Sequence, residues 1–234
     1  MGVVDDLRRV AAAAPHLDGL ESRRERARGL SSSGRALRRS AVLVLFGVGE
    51  QAASRGVRAD GEGASVDDLD VVLTLRSAAV SHHPGEVAFP GGGLEPTDGG
   101  DPTAAALREA WEEAGIEPSD VDVLGALPEA ALTASANLVT PVLGWWATPR
   151  DMRLDGTETR WAMRVGVGAL VDPAARRTWV LERGGQVWRG PAFVTRDDGP
   201  LVWGFTAAVL STVIDAAGWT VPWDEAREIS VVGK

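Results

Sequence analysis

FPGGGLEPTDGGDPTAAALREAWEEAGI, residues 89–116, opens on a Pro-Gly-Gly-Gly turn and closes on a run in which acids alternate with alanine. Its second half reads as a helix. At about 100° per residue, Glu109, Glu112 and Glu113 fall at i, i+3 and i+4 on one face. Leu107, Ala110, Trp111 and Ala114 repeat at i, i+3, i+4 and i+7, which predicts a stripe facing the core. Thr103 is the expected N-cap, Asp101 and Pro102 suit the entry, and Gly115 suits the stop. Three carboxylates on a helix buried along its other side repel one another unless a cation sits among them. Hard oxygen ligands of this kind suit Mg²⁺ or Mn²⁺. The alternative is a solvated acidic face with Arg108 and Glu112 as an i, i+4 ion pair.

The residues ahead of the helix add to the first reading. Pro90-Gly91-Gly92-Gly93 permits a tight turn and a close backbone approach to an anion. Together, loop and helix resemble the Nudix hydrolases. That motif runs Gly, five residues, Glu, seven residues, then Arg-Glu-aliphatic-x-Glu-Glu-x-Gly-aliphatic. Arg108-Glu109, Glu112-Glu113, Gly115 and Ile116 match its second half, and Gly92 matches its opening glycine. The chain departs from it in two ways. The spacing from Gly92 to Arg108 is two residues longer, so the isolated Glu of the motif falls on Gly100, and Glu95 or Asp98 stands as its replacement. Ala110 is smaller than the usual aliphatic residue.

A second resemblance covers residues 72–92, VLTLRSAAVSHHPGEVAFPGG. It is similar to the signature of the coenzyme A pyrophosphatase branch of that family. Leu73, Thr74, Arg76, Ser77, Gly85, Phe89, Pro90, Gly91 and Gly92 fall in register, with His83 two residues before Gly85. Ser81 stands where many relatives carry a basic residue. Arg76, at a strand end, offers a bidentate fork to phosphate or pairs with a nearby carboxylate. His82 reads as a loop residue capping backbone groups.

Composition narrows the classes. Hydrophobic content of 44% and charged content of 24% are those of an ordinary globular protein. One domain large enough for a substantial core is the default at 234 residues. No cysteine is present, which excludes disulfides and thiolate chemistry, and three histidines leave little for a histidine-based metal site. A net charge of −9 argues against nucleic-acid partners. With no secretory or membrane-spanning apolar run, the expectation is a cytoplasmic protein without a membrane partner. A homodimer is left open.

Three segments are expected: an Arg-rich helical stretch over 1–39, the main domain over 40–217, and a tail over 218–234. Residues 40–48, SAVLVLFGV, predict a buried strand, and 50–66 a flexible hairpin tip. Strands follow at 70–76, 121–127 and 138–148, the last bent or at a sheet edge because of Pro141. The loop 128–137 borders the motif, where specificity is set. Arg183-Gly184-Gly185 predicts a hairpin turn. Residues 204–217, GFTAAVLSTVIDAA, predict a core helix, and the preceding Trp203 starts a run similar to the one that closes the domain in the same branch. The resemblance implies an α/β fold of Nudix type, a mixed, curved sheet sandwiched between helices.

It also implies a mechanism. Glu109, Glu112 and Glu113 would hold Mg²⁺ or Mn²⁺, and Arg108 would fix their rotamers. Glu112 or Glu158 would accept a proton from water. Arg76, His83, Phe89, Gly91 and Gly92 would meet a small-molecule nucleotide substrate. Glu158 reads equally as a surface residue, in the place of a family Glu-Val pair that precedes a strand and a helix ending in Asp172-Pro173. Three functions compete: cleavage of coenzyme A, cleavage of ADP-ribose, dinucleotides or NTPs, and nucleotide sensing without hydrolysis.

Overall fold

The computed structural model of the chain describes residues 2–14, 17, 37–76, 86–132, 137–153, 159–195 and 199–231. The run 40–48 becomes the inner part of strand β1, Arg38–Val48. It is apolar without alternation because both faces of its sheet are covered. Leu43 and Leu45 point to one side, with Val72, Val142 and Trp146. Val44, Phe46 and Val48 point to the other, with Val71, Leu73 and Trp145.

Around β1 lie β2 (Leu69–Arg76), β3 (Val87–Ala88), β4 (Gly91–Gly93), β5 (Val121–Ala126), β6 (Ala130–Leu132), β7 (Asn137–Trp146) and β8 (Thr159–Gly166). Among the described residues the order is β3-β2-β1-β7-β5, with β4 on β1, β6 on β7 and β8 on β2. The sheet is mixed, since β1 and β7 run parallel and β1 and β2 antiparallel. A second sheet, β11 (Leu201–Val202), β10 (Gln186–Val194), β9 (Arg176–Arg183) and β12 (Glu228–Ser230), adds its inner residues Phe193 and Val202 to the larger core. Gly184 and Gly185 form the β9–β10 turn, both at positive φ, 58° and 76°.

Helices cover the main sheet on both sides. On one side sit α1 (Val3–Ala12) and the apolar helix Gly204–Ala217, and on the other lies the acidic helix Pro102–Ala114. Taken in chain order, with short helices α2 (Glu50–Ser54) and α4 (Val167–Val171), the acidic helix is α3 and the apolar one α5. α5 keeps the core role expected of it: Thr206, inside it, donates to the Val87 carbonyl at 3.0 Å and ties it to β3. Residues after α5 also pack inward. Trp219 meets Phe46 edge-on at 6.0 Å and donates its indole N–H to Asp6 of α1.

Three expectations are corrected by this arrangement. The stretch 50–66 is not a loose tip: it begins as α2, and its Ala59 carbonyl accepts from the Trp145 indole at 2.9 Å. Pro141 is not at an edge, for β7 lies between β1 on one side and β5 and β6 on the other. The Pro141 carbonyl accepts from Leu127 N at 2.8 Å, so its nitrogen faces the same side, in the gap where β5 has ended and β6 has not begun. No ladder hydrogen bond is lost there. Trp111 is 51% exposed, not in the core.

That last correction follows from how α3 meets the sheet. Ala105, Ala106, Ala110 and Ala114 are all fully buried, so the helix seats through methyl groups and its backbone comes close to β1. There is no room for an indole, and the ring is left on the solvent flank. Ala110→Leu should therefore destabilise the fold by about 1–3 kcal/mol through overpacking. Trp111→Ala should change stability by no more than about 0.5 kcal/mol, as at an ordinary surface position. Urea denaturation of both variants checks this, and a larger loss at Trp111 than at Ala110 would contradict the packing described.

Candidate active site

β4 brings the glycine turn beneath α3. Gly91, Gly92 and Gly93 pair antiparallel with Val42, Ala41 and Ser40 of β1, and α3 crosses above them. Gly91 has no room for a side chain, and Gly92 has room only if Glu109 moves. A Cβ on Gly91 would overlap the Ala41 carbonyl and Val42, and one on Gly92 would overlap the Glu109 carboxylate. The Gly91 N–H donates to Glu113 Oε2 at 3.1 Å, which pins that buried carboxylate to the turn.

α3 begins as its sequence suggests, with one change. Asp101, not Thr103, is the N-cap: its carboxylate accepts from Thr103 N at 2.8 Å, and Pro102 takes the first helical position. The helix ends at Gly115 in the left-handed region, where Ile116 N reaches back to the Ala110 carbonyl.

Arg108 is the hub of the face so formed. Its Nη1 donates to Glu109 Oε1 at 2.9 Å and to Glu112 Oε2 at 3.1 Å. Its Nη2 donates to the Gly93 carbonyl at 3.0 Å. Nε and Nη2 form a fork on Asp98, at 2.9 and 3.1 Å. Asp98 lies on a single 3-10 turn, Pro96–Asp98, followed by Gly99 and Gly100 at φ of 61° and 81°. Gly100, where the motif has its isolated Glu, is thus a turn residue whose backbone suits glycine. Residue 98 carries the nearby carboxylate, and it faces Arg108. Of Glu95 and Asp98, the two replacements the sequence offers for that Glu, Asp98 is the one on Arg108, a partner that the Pro-Thr-Asp-Gly-Gly turn signal does not reveal.

The carboxylates around Arg108 differ in charge balance. Hydrogen bonds from Arg108 hold the Asp98 carboxyl below the usual aspartate range. Burial pushes Glu109 above the usual glutamate range, with the Arg108 hydrogen bond opposing and Glu112 and Glu95 adding to the rise. Among the described residues, no three His, Asp or Glu side chains converge tightly enough to enclose an ion without rearrangement. The donor chemistry nonetheless fits a hard divalent cation. Glu109 is a desolvated carboxylate whose charge is only partly balanced, and Glu112 and Glu113 offer further oxygens on the same face.

The other expected site residues fall differently. Phe89 is buried in the larger core, beneath the turn rather than on an open surface. The backbone of Arg76 ends β2 opposite Thr159, at a register irregularity. His83 and Glu158 lie outside the described residues. β8 and α4 follow residue 158 and lead to Asp172-Pro173. Of the loop 128–137, Ala130–Leu132 is the short strand β6.

Two outcomes follow from this geometry. Gly92→Ala should drive the Glu109 side chain off its seat and weaken Mn²⁺ binding by at least about tenfold, roughly the worth of one charge-assisted contact. Proton competition gives the second. Because the folded Glu109 pKa is raised, the folded state holds its proton to higher pH than the unfolded chain, and the group's contribution to stability falls as pH rises through that window. Metal affinity runs the other way. It should climb as pH rises from the usual glutamate range through the raised pKa, and Glu109→Gln should flatten that step in a Mn²⁺ titration.

A sequence model of the NUDIX domain matches residues 52–137. The protein named uncharacterized Nudix hydrolase NudL of Cronobacter sakazakii is 49% identical over 88 residues, 38% of this chain and 44% of that protein. The protein of the same name from Escherichia coli K12 is 49% identical over 74 residues, 32% of this chain and 38% of its own. The chain thus spans less than half the length of these curated relatives. Among solved structures, the Nudix hydrolase RenU of M. smegmatis shares 24% identity over 55% of this chain and 70% of its own, with a TM-score of 0.41. The glycine turn and the helix carrying Arg108, Glu109, Glu112 and Glu113 lie inside the span that the NUDIX domain model matches, and the fold that holds them is mixed α/β.

Proposed function

We propose that this protein hydrolyses the phosphoanhydride of a nucleoside diphosphate derivative, with coenzyme A or an acyl-coenzyme A as substrate. The observation that carries the hydrolytic reading is the Arg108 hub, which holds Glu109 and Glu112 beside the glycine turn while Gly91 holds Glu113. A phosphoanhydride is already multiply anionic, so attacking water is repelled. A divalent ion bound by Glu109, Glu112 and Glu113 would offset that charge and acidify water.

The chain's own residues do the rest. Arg108 keeps the carboxylates oriented, and Glu113 is braced by the turn. Glu112 is the most exposed of the three and has the freedom to accept a proton from water. Glu158 is the competing base. Gly91 and Gly92 keep the turn close against these carboxylates, and Arg76 and His83 would supply polar contacts to the nucleotide.

Support for coenzyme A comes from the sequence register of residues 73–92. The competing reading, cleavage of ADP-ribose or a dinucleotide, is favoured by Ser81 standing where relatives carry a basic residue. Incubation with a panel of anhydrides and Mg²⁺, with products identified by mass spectrometry, separates the two. Coenzyme A should yield 4′-phosphopantetheine and adenosine 3′,5′-bisphosphate. It should be preferred over dephospho-coenzyme A by about tenfold where a cation meets the 3′-phosphate. Faster cleavage of ADP-ribose than of either would replace the coenzyme reading.

Hydrolysis itself has a sharper check. EDTA should abolish turnover, Mg²⁺ or Mn²⁺ should restore it, and Glu113→Gln should lower kcat by about a hundredfold or more with the fold intact. Unchanged turnover in Glu113→Gln would remove α3 from the chemistry.

A further inference from the structure

We infer that Asp98 is a positioning residue for the carboxylates of Glu109 and Glu112, acting through Arg108. The inference rests on the reading that Glu109, Glu112 and Glu113 bind a divalent ion. A guanidinium has five N–H donors in one plane. In Arg108 all of them are used: one on Asp98 Oδ1, one on Asp98 Oδ2, one on the Gly93 carbonyl, one on Glu109 and one on Glu112. The fork on Asp98 fixes the plane, and that plane aims the two Nη1 protons at Glu109 and Glu112.

Asp98 is itself held and filled. Its side chain is 3% exposed, and Oδ2 accepts a further bond from Glu95 N at 2.7 Å. Every partner it has is a donor, and Arg108 already occupies the side facing the cluster. It is therefore placed to anchor the arginine and not to join the ion. The spacing of the loop agrees with this. Gly99 and Gly100 turn the chain back in left-handed conformations, and the Asp101 N–H closes on the Asp98 carbonyl at 3.0 Å. The two extra residues thus form a turn that presents a carboxylate from position 98 while position 100 carries no side chain.

Removing this anchor has a direct consequence for the ion. Without Asp98, Arg108 would keep its bonds to Glu109 and Glu112 and could move onto them, where it competes with the cation for the same oxygens. An amide at position 98 is the sharpest probe. Whichever way it is turned, its NH₂ faces a donor, Arg108 Nε on one side or Arg108 Nη2 and Glu95 N on the other.

The test is Mn²⁺ binding to the full-length apo protein, followed by the electron paramagnetic resonance of free Mn²⁺, for wild type, Asp98→Asn, Asp98→Glu and Glu113→Gln. Asp98→Asn should weaken Mn²⁺ by about ten- to a hundredfold, as expected for a lost charge-assisted fork. Asp98→Glu, which keeps the charge, should recover part of that loss. In active preparations kcat should fall while KM for the nucleotide changes little. A folded Asp98→Asn with the wild-type Mn²⁺ affinity, beside a weakened Glu113→Gln, would overturn this inference alone. Wild-type affinity in Glu113→Gln would overturn the metal reading beneath it. The wild-type protein supplies a check that no folding defect can obscure: the Arg108 Nε–H resonance should exchange slowly with solvent, and fast exchange typical of an exposed arginine would contradict the anchor.

Discussion

A single guanidinium, fully hydrogen-bonded, sets the geometry of this site. Arg108 joins the loop that precedes α3 to the helix itself, through Asp98 and Gly93 on one side and Glu109 and Glu112 on the other. Acidic side chains brought this close on one helical face repel one another, and Glu109, whose pKa is raised first by burial, is raised further by Glu112 and Glu95. Arg108 relieves part of that repulsion and fixes rotamers in the same step. Arginine suits the task better than lysine, because a planar fork defines a direction and an ammonium does not.

The rest of the fold serves that contact. β1 is the central strand of the sheet, with its inner part buried on both faces, and it carries β4 on one edge, so the glycine turn is held from the middle of the fold. α3 rests on the sheet through alanines, which brings its backbone near enough for Gly91 to reach Glu113 and for Gly92 to lie against Glu109. A bulkier seat would lift the helix and separate the acids from the turn. The opposite face of the sheet, closed by α1, α5 and Trp219, gives the rigidity that a precisely spaced polar cluster needs.

Much of this was legible in the sequence where a signal is local. The apolar run of β1, the Arg-Gly-Gly hairpin, the limits of α5 and the stop at Gly115 are each encoded by the residues that form them. The three acids of α3 fall on one face because helical periodicity alone puts them there. What stayed hidden depends on neighbours distant in sequence. Trp111 fits a core stripe by spacing, and only the close seat of the alanines shows that an indole has no place there. Pro141 reads as an edge signal until the break between β5 and β6 is seen beside it. Asp98 announces a turn; that it grips Arg108, ten residues on, is a fact of the fold.

The most direct measurement is an anomalous-difference map from crystals of the protein soaked in Mn²⁺ at neutral pH. The account expects a strong peak among the carboxylates of Glu109, Glu112 and Glu113, with the Arg108 fork still closed on Asp98. A peak on Asp98 with that fork opened, or no peak on α3 while Mn²⁺ occupies another part of the molecule, would contradict it.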